Sequence, residues 1–146
     1  MQIGRIGARA MNVQLVGIHK RFGAVLANDD VSLDIGDGEV MALLGENGAG
    51  KSTLMKVLYG YYRADAGQVL VDGREAAIAS PREAMALGIG MVFQQFSLIP
   101  ALTVLENLLL AYPDAPMWHG AQNTARVLRL LGEFAPGVSA QRVVGE

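Results

Sequence analysis

The sequence has no cysteine, one tryptophan, two histidines and 6% aromatic residues, and only 18% of its 146 residues are charged. Without cysteine there is no disulfide framework, no thiolate zinc site and no cysteine nucleophile, so the chain fits a reducing compartment, with the cytoplasm as the default. Charge of one sign is also lacking: 12 basic against 14 acidic side chains leave a formal net charge of −2 and a pI near 5.7. That excludes a general polyanion binder, because neutralising a phosphate backbone takes a basic patch; no nucleic-acid partner is expected, and any phosphate contact is local. Long hydrophobic runs are missing too. Stretches such as residues 41–44 and 108–112 fall far short of the ~18 to 20 residues of a membrane-spanning helix. The first residues carry Arg5 and Arg9 but neither an apolar signal core nor a cleavage pattern. Residues 1–11 read as a loose tail, or as an extension upstream of a start at Met11.

What is present suffices for one ordinary globular domain. Residues 12–18 alternate, with Val13, Leu15 and Gly17 against Gln14, Val16 and Ile18, and Val31, Leu33 and Ile35 alternate with Ser32 and Asp34. Both patterns predict half-buried antiparallel strands. After the Gly36-Asp37-Gly38 turn, residues 40–44 are apolar without alternation, which predicts a parallel strand buried on both faces. A glycine-rich segment follows, and Lys51 then opens a helix to about Tyr59, with Leu54, Val57 and Leu58 on one face and Gly60 placed to stop it. Asp72-Gly73, between residues 69–71 and 76–78, is a hairpin signal. Ser80-Pro81-Arg82-Glu83 and Thr103-Val104-Leu105-Glu106 are capping boxes. The first opens a short helix stopping at Gly88, and the second a helix to about Ala111, before Pro113 and Pro116. Residues 89–93 are a second buried-strand candidate ending at Gln94-Gln95. Val127, Leu130, Leu131 and Phe134 mark an amphipathic helix within residues 119–134.

The chemistry concentrates in Gly45-Glu46-Asn47-Gly48-Ala49-Gly50-Lys51-Ser52-Thr53, which fits G-x-x-x-x-G-K-[ST]. Glycines admit backbone conformations closed to residues with a Cβ, so successive N–H groups from about Gly48 to Ser52 can point at phosphate oxygens. Lys51 would bridge the β- and γ-phosphates, Ser52 would offer its hydroxyl to Mg2+, and the helix N-terminus adds about half a positive charge. The bland alternative is a glycine-rich turn that happens to precede a lysine; a chance match in this length is on the order of one in several hundred. The position between a buried strand and a helix favours the phosphate cradle. No guanine-reading Asn-Lys-x-Asp is present, since Asn28-Asp29-Asp30 lacks the lysine and precedes the loop. A small-molecule kinase would start near its P-loop strand, whereas here antiparallel strands come first.

These residues resemble the nucleotide-binding subunit of an ABC transporter. The likeness runs over residues 12–110 through Lys20-Arg21-Phe22-Gly23, Val31-Ser32-Leu33, Gly38-Glu39-Val40, residues 43–54, residues 67–73, Gly90-Met91-Val92-Phe93-Gln94 and Leu102-Thr103-Val104-Leu105-Glu106-Asn107. The wording of the loop, with Met-Val-Phe-Gln-Gln-Phe-Ser-Leu-Ile-Pro later, is most similar to ATPases of bacterial simple-sugar and nucleoside importers. The resemblance implies an α/β P-loop NTPase of ABC type with an N-terminal antiparallel β subdomain, spanning residues 12–146 as a partial nucleotide-binding domain. It implies ATP and Mg2+ as ligands, with Phe22 stacking on adenine and Gln94 reaching Mg2+ and the γ-phosphate. Unaided, Phe22 reads as a core residue at a strand end and Gln94 as a solvated loop residue. The implied partners are transmembrane permease subunits, a second ATP-binding domain and, indirectly, a periplasmic or lipoprotein solute-binding protein, which sets the chain on the inner face of the membrane. Residues 96–111 would face the permease. His19 and His119 have no second metal ligand at useful spacing, and Trp118 reads as packing.

The family's Asp-Glu strand, where Asp holds Mg2+ and Glu polarises the attacking water, is absent from these residues. Val69-Leu70-Val71-Asp72 imitates it, but Gly73 stands where Glu is needed and Asp-Gly is a hairpin turn. The signature Leu-Ser-Gly-Gly-Gln is absent as well; Val138-Ser139-Ala140-Gln141 lacks its glycines. The chain therefore reads as cut ahead of the signature, with no complete catalytic set, unpaired parallel strand edges, poor solubility and no hydrolysis of its own. Two other readings stay open: a non-catalytic nucleotide-binding or permease-docking module, and an inactive gene fragment.

Overall fold

The computed structural model describes residues 11–94, 98–110 and 120–145. The chain divides into two compact units, Met1–Met91 and Val92–Glu146.

The first unit is built on a sheet. Strand β1 (Val13–Phe22) and β2 (Val25–Ile35) form a hairpin in which Phe22 faces Val25 across a two-residue loop. Strand β3 (Ala66–Val71) pairs with the other edge of β1, and β4 (Arg74–Glu75) pairs with β3, giving the order β2-β1-β3-β4, antiparallel throughout. Between β3 and β4, Asp72 and Gly73 both take positive φ, 52° and 73°, the combination of the tight hairpin turn that Asp-Gly favours. The strand imitating an Asp-Glu motif is thus a hairpin arm. Residues 76–78, expected to continue that arm, lie outside β4, which ends at Glu75.

The alternation expected for β1 breaks at one point. From Leu15 to Ile18 the strand advances three residues while β2 advances two, from Leu33 to Val31; against β3, Val16 to His19 likewise spans three residues opposite two. The extra residue is absorbed at Gly17, whose φ of 59° suits a residue without a Cβ. The bulge flips the burial phase, so Val13, Leu15 and Ile18 are all buried, although strict alternation would set Ile18 with Gln14 on the solvent face.

Helix α1 (Lys51–Leu58) lays Leu54 and Val57 onto Leu15, Ile18 and Val69, with Val31, Leu33 and Ile78 closing around them. Leu15, Ile18 and Leu54 are fully buried, each contributing roughly 1.5–3 kcal/mol of burial. Helix α2 (Pro81–Ala86) starts at the predicted Ser80 cap, where Glu83 N–H donates to Ser80 Oγ at 3.3 Å, and the Glu83 carboxylate accepts the N–H of Ala79, one residue ahead of the cap, at 2.7 Å. Ala84 then packs with Tyr59 and Ile89 in a smaller cluster.

Residues 40–44 and 89–93 are not strands, contrary to the expectation from their apolar runs. Val40 is 97% exposed, Leu44 87% and Val92 91%. A parallel strand takes its hydrogen bonds from a neighbouring strand, and none of the described strands pairs with either segment.

In the second unit, helix α3 (Val104–Leu110) and helix α4 (Ala121–Phe134) pack on each other. The Thr103 box is reciprocal: Glu106 N–H donates to Thr103 Oγ1 at 3.2 Å, and Glu106 Oε2 accepts from Thr103 N–H at 2.8 Å. Asn107 ties the preceding turn, donating to the carbonyls of Ile99 at 3.1 Å and Thr103 at 3.0 Å and accepting the Ile99 N–H at 2.7 Å. Val127 is the buried residue of α4, while Phe134, expected on the same apolar stripe, is exposed. Among the described residues no helix is long and apolar enough to cross a membrane.

Candidate nucleotide-binding site

The glycine-rich loop lies between the exposed residues 40–44 and α1. Gly48 and Gly50 take φ of 88° and 80°, and Ala49 N–H donates to the Glu46 carbonyl at 3.2 Å, closing a tight turn. Gly50 is the N-cap of α1. A Cβ there would collide with the Ala27 carbonyl oxygen on β2, so glycine is required twice over, by conformation and by contact. At Gly48 a Cβ would meet nothing within 4 Å among the described residues.

Lys51 reaches back across the loop, its ammonium donating to the carbonyls of Gly45 and Glu46 at 2.7 Å each. Among the described residues no side chain caps α1, and no acidic residue occupies its first turn, so its leading N–H groups keep their donors and the helix pole stays positive. Ser52 is exposed at this pole and Thr53 half-buried. Bonds from an ammonium to neutral carbonyls are exchangeable for stronger ones to charged oxygens. The donor set, with Lys51 at its centre, fits a polyphosphate. Among the described residues no three His, Asp or Glu side chains form a group that could hold a metal ion. A cation here would take oxygens from the phosphates and from Ser52, the ligand type of Mg2+.

Phe22 ends β1 at the hairpin tip, 41% exposed, and is not the core residue its sequence position alone suggests. Its ring meets Tyr62 edge-on, centroids 5.0 Å apart at 69°, and Lys20 Nζ lies 5.3 Å from its centroid. Lys20 is itself held by Asp65 at 2.8 Å, and Asp65 also accepts the Arg21 N–H at 2.7 Å. The Lys20 hydrogen bond, followed by that from Arg21, lowers the Asp65 pKa below the ordinary carboxylate range. Gln94 belongs to the second unit, exposed in a bend; its neighbours Gln95 and Phe96, like Trp118 and His119, lie outside the described residues. Met11 is the described end of the expected loose tail, and its N–H donates to Asp37 at 3.3 Å.

Sequence reasoning missed Asn28. It lies on β2, buried, and its amide donates to the Gly50 carbonyl at 3.2 Å. The polar run Asn28-Asp29-Asp30 hid the strand to which it belongs, and nothing local announces a contact across 22 residues.

A glycine-rich loop with Gly48 and Gly50 at positive φ, running directly into a helix opened by Lys51, has the loop-to-helix geometry of a P-loop. The chain belongs to the ABC transporter family, which matches residues 28–145. Over 98 residues it is 53% identical to the putative ribose/galactose/methyl galactoside import ATP-binding protein 2 of Burkholderia cenocepacia, covering 67% of this chain and 19% of that protein. It is 49% identical over 98 residues to the guanosine import ATP-binding protein NupO of Bacillus subtilis, with the same coverage of 67% and 19%. The chain thus spans about a fifth of the length of the curated relatives it matches. Among solved structures, the ADP conformation of MJ1267, an ATP-binding cassette of an ABC transporter, superposes with a TM-score of 0.78 at 28% identity, over 94% of this chain and 59% of that one. The fold is therefore that of an ABC ATP-binding cassette, with the antiparallel sheet expected of its N-terminal part.

Proposed function

We propose that residues 12–146 are a partial nucleotide-binding domain that binds Mg-ATP for an ABC importer of simple sugars or nucleosides. The observation that carries this reading is the uncapped N-terminus of α1, with Gly48 and Gly50 at positive φ before it and Lys51 folded over the loop. In this reading Gly45, Glu46, Asn47, Gly48, Ala49, Gly50, Lys51, Ser52 and Thr53 hold the phosphates. Phe22 stacks on adenine, and Ser52 and Gln94 serve the Mg2+ and γ-phosphate. Partial exposure of the Phe22 ring supports stacking, since a flat apolar face suits a base without reading its edges. The import ATP-binding names of the relatives support coupling to permease subunits at the inner membrane face. In the same reading the domain pairs with a second ATP-binding domain and is linked indirectly to a solute-binding protein.

With no Asp-Glu strand or Leu-Ser-Gly-Gly-Gln among its residues, the chain binds ATP without turning it over by itself. Titration calorimetry with Mg-ATP on the chain and on Lys51→Ala tests the proposal. Tight binding lost in the variant supports it; heats indistinguishable between the two, or measurable turnover by the chain alone, contradict it.

A further inference from the structure

We infer that Asn28 is a positioning residue for the phosphate site, aiming the leading N–H of α1 by holding the Gly50 carbonyl. The inference rests on the nucleotide-binding reading above. Among the described residues Asn28 is the one buried amide side chain, 4% exposed. Its Nδ2 donates to the Gly50 carbonyl at 3.2 Å, and that oxygen also accepts the Leu54 N–H at 2.9 Å, the first turn of α1. A Cβ on Gly50 would collide with Ala27, the residue before Asn28, so β2 presses directly on the end of the loop. The peptide unit is planar and trans, so its carbonyl and N–H point in opposite directions. Pinning the Gly50 carbonyl toward β2 and the helix therefore turns the Lys51 N–H the other way, toward the loop mouth where the phosphates would lie.

The acceptor half of the same amide supports this assignment. Asn28 Oδ1 is buried and has no hydrogen-bond partner among the described residues. A buried polar atom left unpaired opposes folding, so leucine, close to asparagine in shape, is at least as good a choice for stability at this place. The satisfied half is the donor, and its partner is the phosphate loop. A residue that merely filled the core would have no need of it.

The test measures two quantities on the 146-residue chain and on Asn28→Leu: the affinities for Mg-ATP and for Mg-pyrophosphate, and the urea midpoint. Asn28→Leu is expected to weaken both ligands about tenfold, the scale of one hydrogen bond, with the midpoint unchanged or raised. Asn28→Asp keeps the shape without the donor and is expected to lose at least as much affinity. Wild-type affinity in Asn28→Leu or Asn28→Asp would overturn the inference, as would affinity and midpoint falling together in Asn28→Leu. Failure of the underlying reading looks different: the unsubstituted chain would then bind neither ligand, and Lys51→Ala would behave like it.

Discussion

Alanine at Gly48 and at Gly50 separates backbone strain from steric contact in the phosphate loop. Both residues sit at positive φ, 88° and 80°, where an L side chain costs about 1–2 kcal/mol. At Gly48 that is the whole effect, because a Cβ there meets nothing within 4 Å among the described residues. At Gly50 the new Cβ runs into the Ala27 carbonyl and stands 2.8 Å from Asn28 Nδ2, against strand backbone and a buried side chain that cannot swing aside. Overpacking of this kind adds about 1–3 kcal/mol. With a urea m-value of roughly 1.5 kcal/mol/M, Gly48→Ala lowers the midpoint by roughly 1 M and Gly50→Ala by roughly 2 M or more. Amide hydrogen exchange across α1 reads the same difference locally, with the larger loss of protection in Gly50→Ala. A Gly50→Ala midpoint equal to or above that of Gly48→Ala would refute the packing of β2 against the loop.

The Glu106 carboxylate, bonded to Thr103 N–H and then to its hydroxyl, has its pKa lowered below the ordinary range. A folded-state pKa below the unfolded one means the cap contributes fully above the unfolded value and is lost as pH falls through the folded value. The Thr103 amide resonance should titrate with a midpoint below that of a free glutamate, and Glu106→Gln should abolish the step; a midpoint above the ordinary value would contradict the cap geometry. Val40 and Leu44, 97% and 87% exposed, present apolar surface on a segment that pairs with none of the described strands. Val40→Lys with Leu44→Lys should reduce concentration-dependent association in sedimentation while moving stability by less than about 0.5 kcal/mol. A loss of several kcal/mol would mean that these side chains are buried after all.

Features written in short-range chemistry were legible in the sequence. The Ser80 and Thr103 caps, the Asp72-Gly73 turn and the loop opening α1 each depend on residues within a few positions, and each stands where its residues put it. Features that depend on a distant partner were not. The apolar runs at residues 40–44 and 89–93 have the composition of buried strands, but composition does not supply the neighbour that completes a hydrogen-bond ladder. In β1 the alternation holds up to Leu15 and breaks at Gly17, where the sequence gives no warning, because a single glycine does not reveal whether it carries a bulge. Of the residues proposed for the site, the loop rests on its sequence pattern, and Phe22 and Gln94 rest on resemblance. The Asn28 contact with Gly50 exists only once β2 and α1 have packed.

The central claim, that the loop and the α1 pole form a working phosphate site, is tested most directly by Mg-ATP titration of the chain beside Lys51→Ala. Saturable binding of Mg-ATP by the chain, lost when the ammonium is removed, is the predicted result. Binding absent from both, or equal in both, would contradict it.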